Sequence, residues 1–327
     1  MSILVVGGAG YIGSHAVYQL IDASEKVVVV DNLITGHPKA IHPQATFYRG
    51  DMKDQNFLKT VFQKESIEAV LHFAACSLVG ESMIDPLKYY ENNFYGTQVL
   101  LKVMKEYQVD KLVFSSTAAV YGEPDQFPIT EDMVTNPTNP YGETKLAIEK
   151  LLKWCELAYG LKYVTLRYFN VAGARQSGEI GEDHRPETHL IPLLLEVSME
   201  KRSHFTVHGN DYDTEDGTCI RDYIHVEDLI DAHILALHYL RVGGKSESIN
   251  LGSSRGYSVL EILTMAREIT NHPIPSLVGK RRPGDPSRLV ASSSKAKQIL
   301  GWEPKRASIK QIIQDAWNWH SKNPTGY

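Results

Sequence analysis

The stretch Gly7-Gly8-Ala9-Gly10-Tyr11-Ile12-Gly13 separates two contrasting patterns near the start of the chain. Residues 3–6 form an apolar run typical of a buried strand, and residues 12–21 have the apolar spacing of a helix. Glycines at every third position (Gly7, Gly10 and Gly13) let the backbone turn tightly and approach a pyrophosphate. The helix N-terminus adds N–H groups and a partial positive charge. The stretch therefore predicts a strand–turn–helix unit that binds a dinucleotide.

An acidic residue supports the same prediction and specifies the dinucleotide. Asp31 follows the second predicted strand, residues 27–30, where its carboxylate can bond both ribose hydroxyls of an adenosine and would repel a 2′-phosphate. Asn32 and Leu33 supply no arginine for such a phosphate, so NAD is favoured over NADP. Asp51, just past the third predicted strand, can bond the adenine amino group, with a plain loop cap as the alternative.

The first half of the chain alternates between strand and helix patterns. Such alternation predicts βαβ units, a parallel sheet and right-handed crossovers, hence a doubly wound α/β (Rossmann) fold. The predicted strands are 3–6, 27–30, 46–48, 69–71, 111–114 and 164–166, and the predicted helices are 12–21, 54–64, 86–107 and 141–159.

The alternation ends after about Arg167, where glycine, proline, histidine and acidic residues crowd the stretch 173–189. We therefore predict a dinucleotide-binding domain at residues 1–168 and a smaller α/β substrate domain at residues 169–327. The segment 222–241 is expected to rejoin the first domain. The binding pocket is expected between the smaller domain and the carboxyl ends of the strands.

A tyrosine and a lysine one helical turn apart carry the candidate chemistry. Tyr141 and Lys145 follow the hydroxyl-rich strand end Ser115-Ser116-Thr117. Removing hydride from a carbinol carbon also requires removing the hydroxyl proton, and a tyrosine with a pKa of about 10 is a poor base. Because a nearby ammonium and the positive nicotinamide ring both favour the phenolate, Tyr141 is predicted as general acid/base and Lys145 as the group that tunes it and anchors the nicotinamide ribose. Thr117 is predicted to bond the substrate oxygen. A plain surface Tyr–Lys pair is the alternative.

Composition limits the other functions and partners. With 34 basic and 39 acidic residues, the chain is mildly acidic, so neither nucleic acid nor an anionic membrane is an expected partner. Three scattered cysteines predict neither a disulfide framework nor a zinc site, and His184 and His189 lack HExxH spacing, so no metal is expected. No leader or spanning segment is recognisable, which makes the cytoplasm the expected location.

The two long predicted helices carry apolar residues on more than one stripe. One stripe must cover the sheet, so a second can pair with a partner subunit in a homodimer, with burial under the smaller domain as the alternative. The stripe residues are Val99, Leu100, Val103 and Met104 in one helix, and Leu146, Leu151, Leu152 and Trp154 in the other.

On these motifs the chain resembles the extended short-chain dehydrogenase/reductases, and among them the nucleotide-sugar 4-epimerases of galactose metabolism. The likeness covers essentially the whole chain. The segments that carry it are GGAGYIG at Gly7, DNL at Asp31, HFAA at His72, VGES at Val79, NN at Asn92, SSTAAVYG at Ser115, PYGETK at Pro140, LRYFNVAGA at Leu166, GNDYDTEDGTCIRDYIHV at Gly209 and GD at Gly284.

The resemblance implies an isomerase that uses NAD to invert C4 of a UDP-hexose, interconverting UDP-glucose and UDP-galactose. It implies hydride abstraction, rotation of a 4-keto intermediate and hydride return. Implied NAD contacts are Tyr11, Ile12, Asp31, Asn32, Asp51, Met52, Phe73, Ala74, Asn92, Tyr141, Lys145 and Phe169. Implied UDP-sugar contacts are Thr117, Tyr141, Asn170, His189, Leu190, Thr206, Arg221, Arg282, Asp285 and Leu289.

Three positions depart from the best-known bacterial pattern of the family. Ser77 replaces a common lysine, which would loosen NAD retention, and Thr117 replaces a common serine but keeps the hydroxyl. Leu289 replaces a common tyrosine that narrows the sugar pocket, so N-acetylated hexoses become candidate substrates. Two other functions stay as alternatives. A nucleotide-sugar 4,6-dehydratase would have an acidic pair where Ala118 and Ala119 stand, and an NAD(H)-sensing protein typically lacks the Tyr/Lys pair.

Overall fold

The computed structural model of the chain describes residues 1–282 and 286–327. The strands are β1 (Ser2–Val6), β2 (Lys26–Asp31), β3 (Thr46–Arg49), β4 (Ile67–His72), β5 (Lys111–Ser115), β6 (Lys162–Tyr168), β7 (Asn170–Ala172), β8 (Phe205–His208), β9 (Ile220–His225), β10 (Glu247–Leu251), β11 (Gly256–Ser258), β12 (Ser276–Gly279) and β13 (Arg288–Leu289).

The helices alternate with these strands in the first half of the chain. They are α1 (Tyr11–Asp22), α2 (Gln55–Lys64), α3 (Val79–Ile84), α4 (Pro86–Tyr89), α5 (Gly96–Glu106), α6 (Pro140–Tyr159), α7 (Leu190–Ser198), α8 (Val226–Arg241), α9 (Val259–Thr270), α10 (Ser294–Leu300) and α11 (Ile309–Lys322). Within the two described ranges, no helix has the length and apolar character needed to cross a membrane.

A seven-stranded parallel sheet forms the centre of the molecule, in the order β10-β6-β5-β4-β1-β2-β3. The predicted doubly wound parallel sheet is therefore confirmed. Chain order reverses between β1 and β4, and in such sheets the crevice at this reversal, outside the carboxyl ends of the strands, is where ligands bind. Every predicted strand of the first half lies in this sheet.

The central strands are almost continuously apolar because helices cover both faces of the sheet. Val5, Val29 and Leu71 point to one face, where they pack in a fully buried core with α1 and α8. Residues of the opposite parity, such as Val28 and Val70, pack on the other face with α2, α5 and α6. The two cores hold the strand ends in fixed positions, and those ends carry the predicted site.

The second half contains a smaller four-stranded sheet, in which β9 is flanked by β11 and β13 and also pairs with β7. Helices α7, α9 and α11 pack around a separate core of Leu194, Ile262 and Ile312 among others. A short parallel pair, β8 and β12, completes this part.

The C-terminal half contributes more to the large sheet than the sequence predicts. The segment 222–241 does return to it, since α8 packs against α1 and its Leu229 lies in the core of the large sheet. However, β10 also pairs with β6 as the edge strand, and Trp302 after α10 is buried in the same core. The predicted boundary places both in the smaller domain. Their apolar runs are short, and the pairing that decides their location is distant in sequence.

Candidate active site

The turn between β1 and α1 contains glycines with two different physical roles. Gly7 has a φ of +85°, and a Cβ there would lie 2.5 Å from the backbone nitrogen of Ala74. A Cβ at Gly13 would overlap the carbonyl of Gly7. These two glycines are therefore required by the fold itself.

Gly10 is different, because no protein atom needs it to be glycine. A Cβ there would meet nothing nearer than 3.6 Å, and the φ of −80° suits any residue. The absent side chain instead leaves space in front of α1, whose N-cap has no side-chain hydrogen bond and whose first turn has no acidic residue. Open space at an uncapped helix N-terminus fits a pyrophosphate.

Asp31 closes the turn from the neighbouring strand. Its Oδ2 accepts a hydrogen bond from the Ala9 N–H at 2.9 Å, and its Oδ1 accepts one from the Leu33 N–H at 2.8 Å. Burial raises the pKa of Asp31, and these two backbone donors oppose the rise. Each oxygen keeps a second lone pair, so the carboxylate can still accept bonds from two ribose hydroxyls.

Asp51 lies beside the same edge. Its Oδ2 accepts a hydrogen bond from Asn32 Nδ2 at 3.3 Å, and its Oδ1 accepts one from the Lys53 N–H at 2.8 Å. The loop-cap contact considered for Asp51 is therefore present, alongside a link to Asn32. Met52 is buried directly after it.

The predicted helix 86–107 is interrupted at the site. Pro86–Tyr89 and Gly96–Glu106 are α-helical, but Tyr90–Tyr95 between them form a π-helical turn, an irregularity that is frequent at functional sites. Asn92 lies in this turn and donates to Asn93 Oδ1 at 3.1 Å.

Asn93 is not indicated as a site residue by the sequence, yet its buried amide organises this part of the site. Its Oδ1 accepts from the Cys76 N–H at 2.8 Å, and its Nδ2 lies 3.0 Å from the Cys76 carbonyl oxygen and 3.3 Å from Thr144 Oγ1. It thus ties the loop after β4, which contains Phe73 and Ala74, to α6. The NN pair at Asn92 is the only sequence signal for it.

Tyr141 and Lys145 lie on the first turns of α6. Asn139 caps this helix by accepting from the Gly142 N–H at 2.9 Å, and Pro140 occupies its first position. Lys145 is buried and donates from Nζ to the Ser115 carbonyl oxygen at 2.8 Å, with Nζ 4.7 Å from the centre of the Phe114 ring. Both side chains therefore face the carboxyl end of β5 rather than solvent, which argues against a plain surface pair.

Burial controls the electrostatics of this pair. It raises the pKa of Tyr141 above its ordinary value, and a hydrogen bond with Thr117 only partly opposes the rise. Burial also lowers the pKa of Lys145 from 10.5 to about 7, against the opposing attraction of Glu149 and Cys76. The sequence predicts that the lysine lowers the pKa of Tyr141. In the protein without ligands, burial instead raises this pKa. A proton-accepting Tyr141 needs a further positive charge in this pocket.

A buried charged network behind the pocket is a second feature that the sequence reasoning misses. Glu149, two turns after Tyr141 on α6, accepts from Ser116 Oγ at 2.5 Å and from Arg167 through both carboxylate oxygens, at 3.0 and 2.5 Å. Arg167 also donates to Tyr121 Oη at 2.8 Å. The network fixes the ends of β5 and β6 to α6. In the sequence, the network is indicated only by Glu149, a charged residue on the apolar stripe of α6.

His233 has the pattern of an ordinary helix residue, but it also lies behind the site. Its Nε2 is 3.0 Å from Ser115 Oγ, its Nδ1 is 2.9 Å from the Leu229 carbonyl oxygen, and its ring centre is 4.8 Å from that of Phe73. Complete burial lowers its pKa to about 4. A neutral imidazole therefore packs between β5 and the loop after β4.

The predicted UDP-sugar residues divide into two groups. Asn170 on β7 and Leu289 on β13 flank β9, where Leu289 is in register with Arg221. Arg221 donates to the carbonyl oxygens of Ile220 and Pro286, each at 2.8 Å. Leu289 also packs in one apolar cluster with Phe169, close to the predicted cofactor residues.

The second group lies further from this sheet. His189 and Leu190 are at the start of α7, Thr206 is on β8, and Arg282 is exposed. Asp285 lies outside the described residues.

Comparison with known proteins identifies the group to which the chain belongs. The model of the NAD dependent epimerase/dehydratase family matches residues 3–252. A UDP-glucose 4-epimerase of Lacticaseibacillus casei is 58% identical over 327 residues, which are 100% of this chain and 99% of that protein. The chain belongs to the NAD-dependent epimerase/dehydratase family.

Solved structures of the family superimpose closely on this fold. A crystal structure of a UDP-glucose 4-epimerase has a TM-score of 0.99 and 61% identity, covering 100% of this chain and 99% of the other. A UDP-glucose 4-epimerase from Bifidobacterium longum in complex with NAD+ and UDP has a TM-score of 0.95 and 40% identity, covering 100% of both chains. The family description names NAD, the dinucleotide that Asp31 favours.

Proposed function

We propose that this chain is an NAD-dependent epimerase that inverts C4 of a UDP-hexose, interconverting UDP-glucose and UDP-galactose. The observation that carries the proposal is the pairing of two features on one sheet edge. The buried Thr117 and Lys145 and the half-buried Tyr141 lie at the end of β5, and the open, uncapped turn at Gly10 lies at the end of β1. Full-length likeness to epimerases supports the choice of reaction.

In this proposal the residues of the β1–α1 turn hold the NAD pyrophosphate, and Asp31 holds the adenosine ribose. When bound, NAD supplies the acceptor and donor of the C4 hydride. Lys145, whose ammonium already bonds the end of β5, anchors the nicotinamide ribose. The further NAD residues are Gly7, Tyr11, Ile12, Gly13, Asn32, Asp51, Met52, Phe73, Ala74, Asn92, Tyr141 and Phe169.

Tyr141 takes the proton of the C4 hydroxyl and returns it after the configuration has inverted. In the protein alone, burial keeps the tyrosine protonated, so proton removal depends on the positive charges of Lys145 and of the oxidised cofactor. Thr117, which already bonds Tyr141, is placed to bond the substrate oxygen and relay its proton. Because proton removal depends on the charge of the cofactor, it is expected only when NAD is bound.

Inversion at C4 requires the nucleotide to be held firmly and the hexose loosely. Arg221 and Arg282 are assigned to the pyrophosphate and Asp285 to the uridine ribose, with Asn170, His189, Leu190 and Thr206 completing the set. Binding energy placed on the nucleotide is remote from the reacting carbon, which leaves the sugar free to turn. We also assign Leu289 to the sugar pocket and propose that it admits N-acetylated hexoses.

The two residues directly after Thr117 distinguish an epimerase from a 4,6-dehydratase. Ala118 and Ala119 begin a short 3₁₀ turn, and Thr117 Oγ1 accepts from the Ala119 N–H at 3.1 Å. Methyl groups at these two positions cannot transfer the proton that a 4,6-dehydratase must move. The other alternative, a passive NAD(H) sensor, does not require the buried Tyr141–Lys145 pair.

One assay separates the three functions. Purified full-length protein is incubated with UDP-galactose, and separately with UDP-N-acetylgalactosamine, with no added coenzyme. We expect UDP-glucose from the first substrate and the C4 epimer of the second. A 4-keto-6-deoxy sugar would indicate a dehydratase. Bound NAD with no change in either substrate would indicate a sensor and overturn the proposal.

We also propose a homodimer. The α5 stripe is unavailable for it, since Val103 and Met104 are buried in the chain's own core. On α6, in contrast, two large apolar side chains are available for such a contact, because Trp154 is 68% and Leu157 is 69% exposed. Such side chains are typical of a subunit contact. Light scattering is expected to give a dimer for the native chain and for Lys153→Glu, and a monomer for Trp154→Glu.

A cytoplasmic location is part of the same proposal. Cys76 and Cys155 are thiols rather than a disulfide, as expected in a reducing compartment. Fractionation of cells that express the tagged chain tests it, and recovery with the membrane or secreted fraction would contradict it.

A further inference from the structure

Two histidines and two glutamates converge in the loop before α7. Their nitrogen and carboxylate oxygen atoms all lie within 4.8 Å of one another, although the residues are spread over Glu182, His184, Glu187 and His189. The sequence predicts no metal site here, because the spacing matches no common zinc motif. The structure nevertheless brings one ligand atom of each of the four side chains together.

The individual distances match a four-coordinate metal. His184 Nδ1 lies 3.1 Å from Glu182 Oε1 and 3.9 Å from Glu187 Oε2. His189 Nδ1 lies 2.7 Å from Glu182 Oε1 and 3.3 Å from Glu187 Oε1. In a tetrahedral zinc site with bonds of about 2.0–2.1 Å, neighbouring ligand atoms are roughly 3.3 Å apart. The four distances bracket this value, so small side-chain movements within a cluster whose ligand atoms lie within 4.8 Å of one another would give the spacing that zinc requires.

The orientation of the buried atoms provides a second, independent observation. Glu182 is only 3% exposed, and its Oε1 is 2.7 Å from His189 Nδ1, yet neither this oxygen nor the buried Nδ1 of His184 has a partner in hydrogen-bond geometry. These two atoms are 3.1 Å apart but do not point along a hydrogen bond to each other. Buried polar atoms normally find partners, and atoms that face a common centre instead are arranged like ligands.

The Glu187 carboxylate is held in place from outside the cluster. Its Oε1 accepts hydrogen bonds from the N–H groups of Thr188 and His189, at 2.7 and 2.8 Å. Oε2 accepts neither of these bonds. Such support from behind a ligand group is typical of metal sites and orients the ligand before the metal binds.

We propose that Glu182, His184, Glu187 and His189 form a zinc site. Imidazole and carboxylate ligands in a four-coordinate arrangement suit Zn²⁺ better than Ca²⁺ or Mg²⁺, which prefer more oxygen ligands. The His184 ring also packs edge-on against Tyr11 at the start of α1, with ring centres 6.2 Å apart. Zinc would therefore fix the loop before α7 against the cofactor-binding helix.

Zinc binding to the chelator-treated full-length protein tests the proposal, with a chromophoric chelator as competitor. We expect one Zn²⁺ per chain for the native protein. His184→Ala is expected to bind zinc at least about 100-fold more weakly, since losing even a residue behind a ligand costs about 10- to 100-fold. The matched control is His204→Ala, an exposed histidine outside the cluster, which is expected to bind like the native chain.

A milder variant and a spectrum keep the test decisive even if His184→Ala misfolds. Glu187→Gln keeps the size of the side chain and one carbonyl oxygen for the two backbone N–H groups, and it is also expected to weaken zinc binding. Co²⁺ in the native site is expected to give the intense visible bands of a tetrahedral ion, which both variants lose. Zinc is expected to raise the thermal unfolding midpoint of the native chain and of His204→Ala, but not of His184→Ala.

Two results would overturn the site. One is no stoichiometric zinc in the native protein, which would leave two histidine–glutamate ion pairs as the explanation of the cluster. The other is equal zinc affinity in the native protein and His184→Ala. His189 is also assigned to the UDP-sugar, but only its Nδ1 faces the cluster, which leaves Nε2 for the substrate. Metal content and Co²⁺ spectra are measured without substrate, so neither result decides the epimerase proposal.

Discussion

The β1–α1 turn and the pocket at Tyr141 lie on the same sheet edge but are built in different ways. The turn consists of backbone, and its glycines act through the absence of side chains. The pocket consists of side chains from separate elements, in which burial shifts the pKa values of Tyr141 and Lys145, Thr117 hydrogen-bonds Tyr141, and Lys145 bonds the end of β5. A defect in the turn is therefore expected to affect binding or folding, whereas a defect in the pocket is expected to affect the chemical step.

The largest expected effect is on the chemical step. Tyr141→Phe removes the group assigned as general acid/base for the C4 hydroxyl, and such groups typically contribute about 10²- to 10⁴-fold. We expect kcat for UDP-galactose to fall by this factor while NAD stays bound. Steady-state kinetics and the NAD content of the purified variant provide the two measurements.

Tyr95→Phe is the matched control, since this exposed tyrosine lies outside the pocket. It is expected to keep native turnover. If Tyr141→Phe instead lost NAD and kept its kcat after NAD was supplied, the roles of the two regions would be reversed.

The second prediction separates the two kinds of glycine within the turn. Gly7→Ala forces a Cβ into the left-handed region and against the backbone of Ala74, so it is expected to lower the unfolding free energy by about 2–4 kcal/mol. Gly10→Ala meets no protein atom and is expected to lower it by less than about 1 kcal/mol. Gly10→Ala should instead raise the dissociation constant for NAD by about 10-fold.

Chemical denaturation and NAD titration of both variants test this contrast. An equal loss of stability in the two variants would mean that Gly10 is also a structural glycine. The open space in front of α1 would then not be part of the cofactor site.

The contrast between the turn and the pocket also explains how far the sequence alone could go. The turn is local, because the strand, the glycines and the helix follow one another within twelve residues, and so periodicity and spacing predict it. The parallel sheet follows from the same alternation. In contrast, β10 joins the sheet only through its pairing with β6, and nothing near residue 247 indicates that partner.

The support of the pocket is equally non-local. Glu149 and Arg167 are 18 residues apart, and His233 reaches Ser115 across 118 residues. In the sequence, the only indication of a role for these residues is that each is charged or polar within an otherwise apolar segment. Predicting the direction of the Tyr141 pKa shift requires knowing how deeply the side chain is buried, and residue spacing in the sequence does not give this.

A third prediction concerns the sugar side of the pocket. Leu289 packs near Phe169 in an apolar cluster, and we expect Leu289→Tyr to narrow the space beside the hexose. The ratio of kcat/KM for the N-acetylated substrate to that for UDP-galactose is expected to fall by about 10- to 100-fold. Leu260→Tyr, on the exposed side of α9, is expected to leave the ratio unchanged. A fall in both values by the same factor would place Leu289 outside the region that contacts C2.

The smallest expected effect is a dependence of stability on pH. Burial lowers the pKa of Lys145 to about 7 in the folded protein, from 10.5. Between these values the unfolded chain binds a proton at Lys145 that the folded chain does not, so Lys145 contributes a rise of the unfolding free energy with pH. Below about pH 7 Lys145 is protonated in both states, and this contribution is constant. Its slope has an upper limit of about 1.4 kcal/mol per pH unit. His189, whose pKa its glutamate partners raise to about 10, contributes a fall over much of the same range.

Lys145→Met should remove the Lys145 contribution, so its slope between pH 7 and about 9.5 is expected to be lower than that of the native chain; this range ends below the pKa at which tyrosines titrate. Lys153→Met, on the exposed side of the same helix, should keep the native slope. Denaturation of the chain without ligands, at several pH values, gives the slopes of all three proteins. If Lys145→Met kept the native slope, the lysine would be protonated throughout this range. Its ammonium would then be present to stabilise the Tyr141 phenolate even before the cofactor binds, and the pocket would depend less on the turn than we infer.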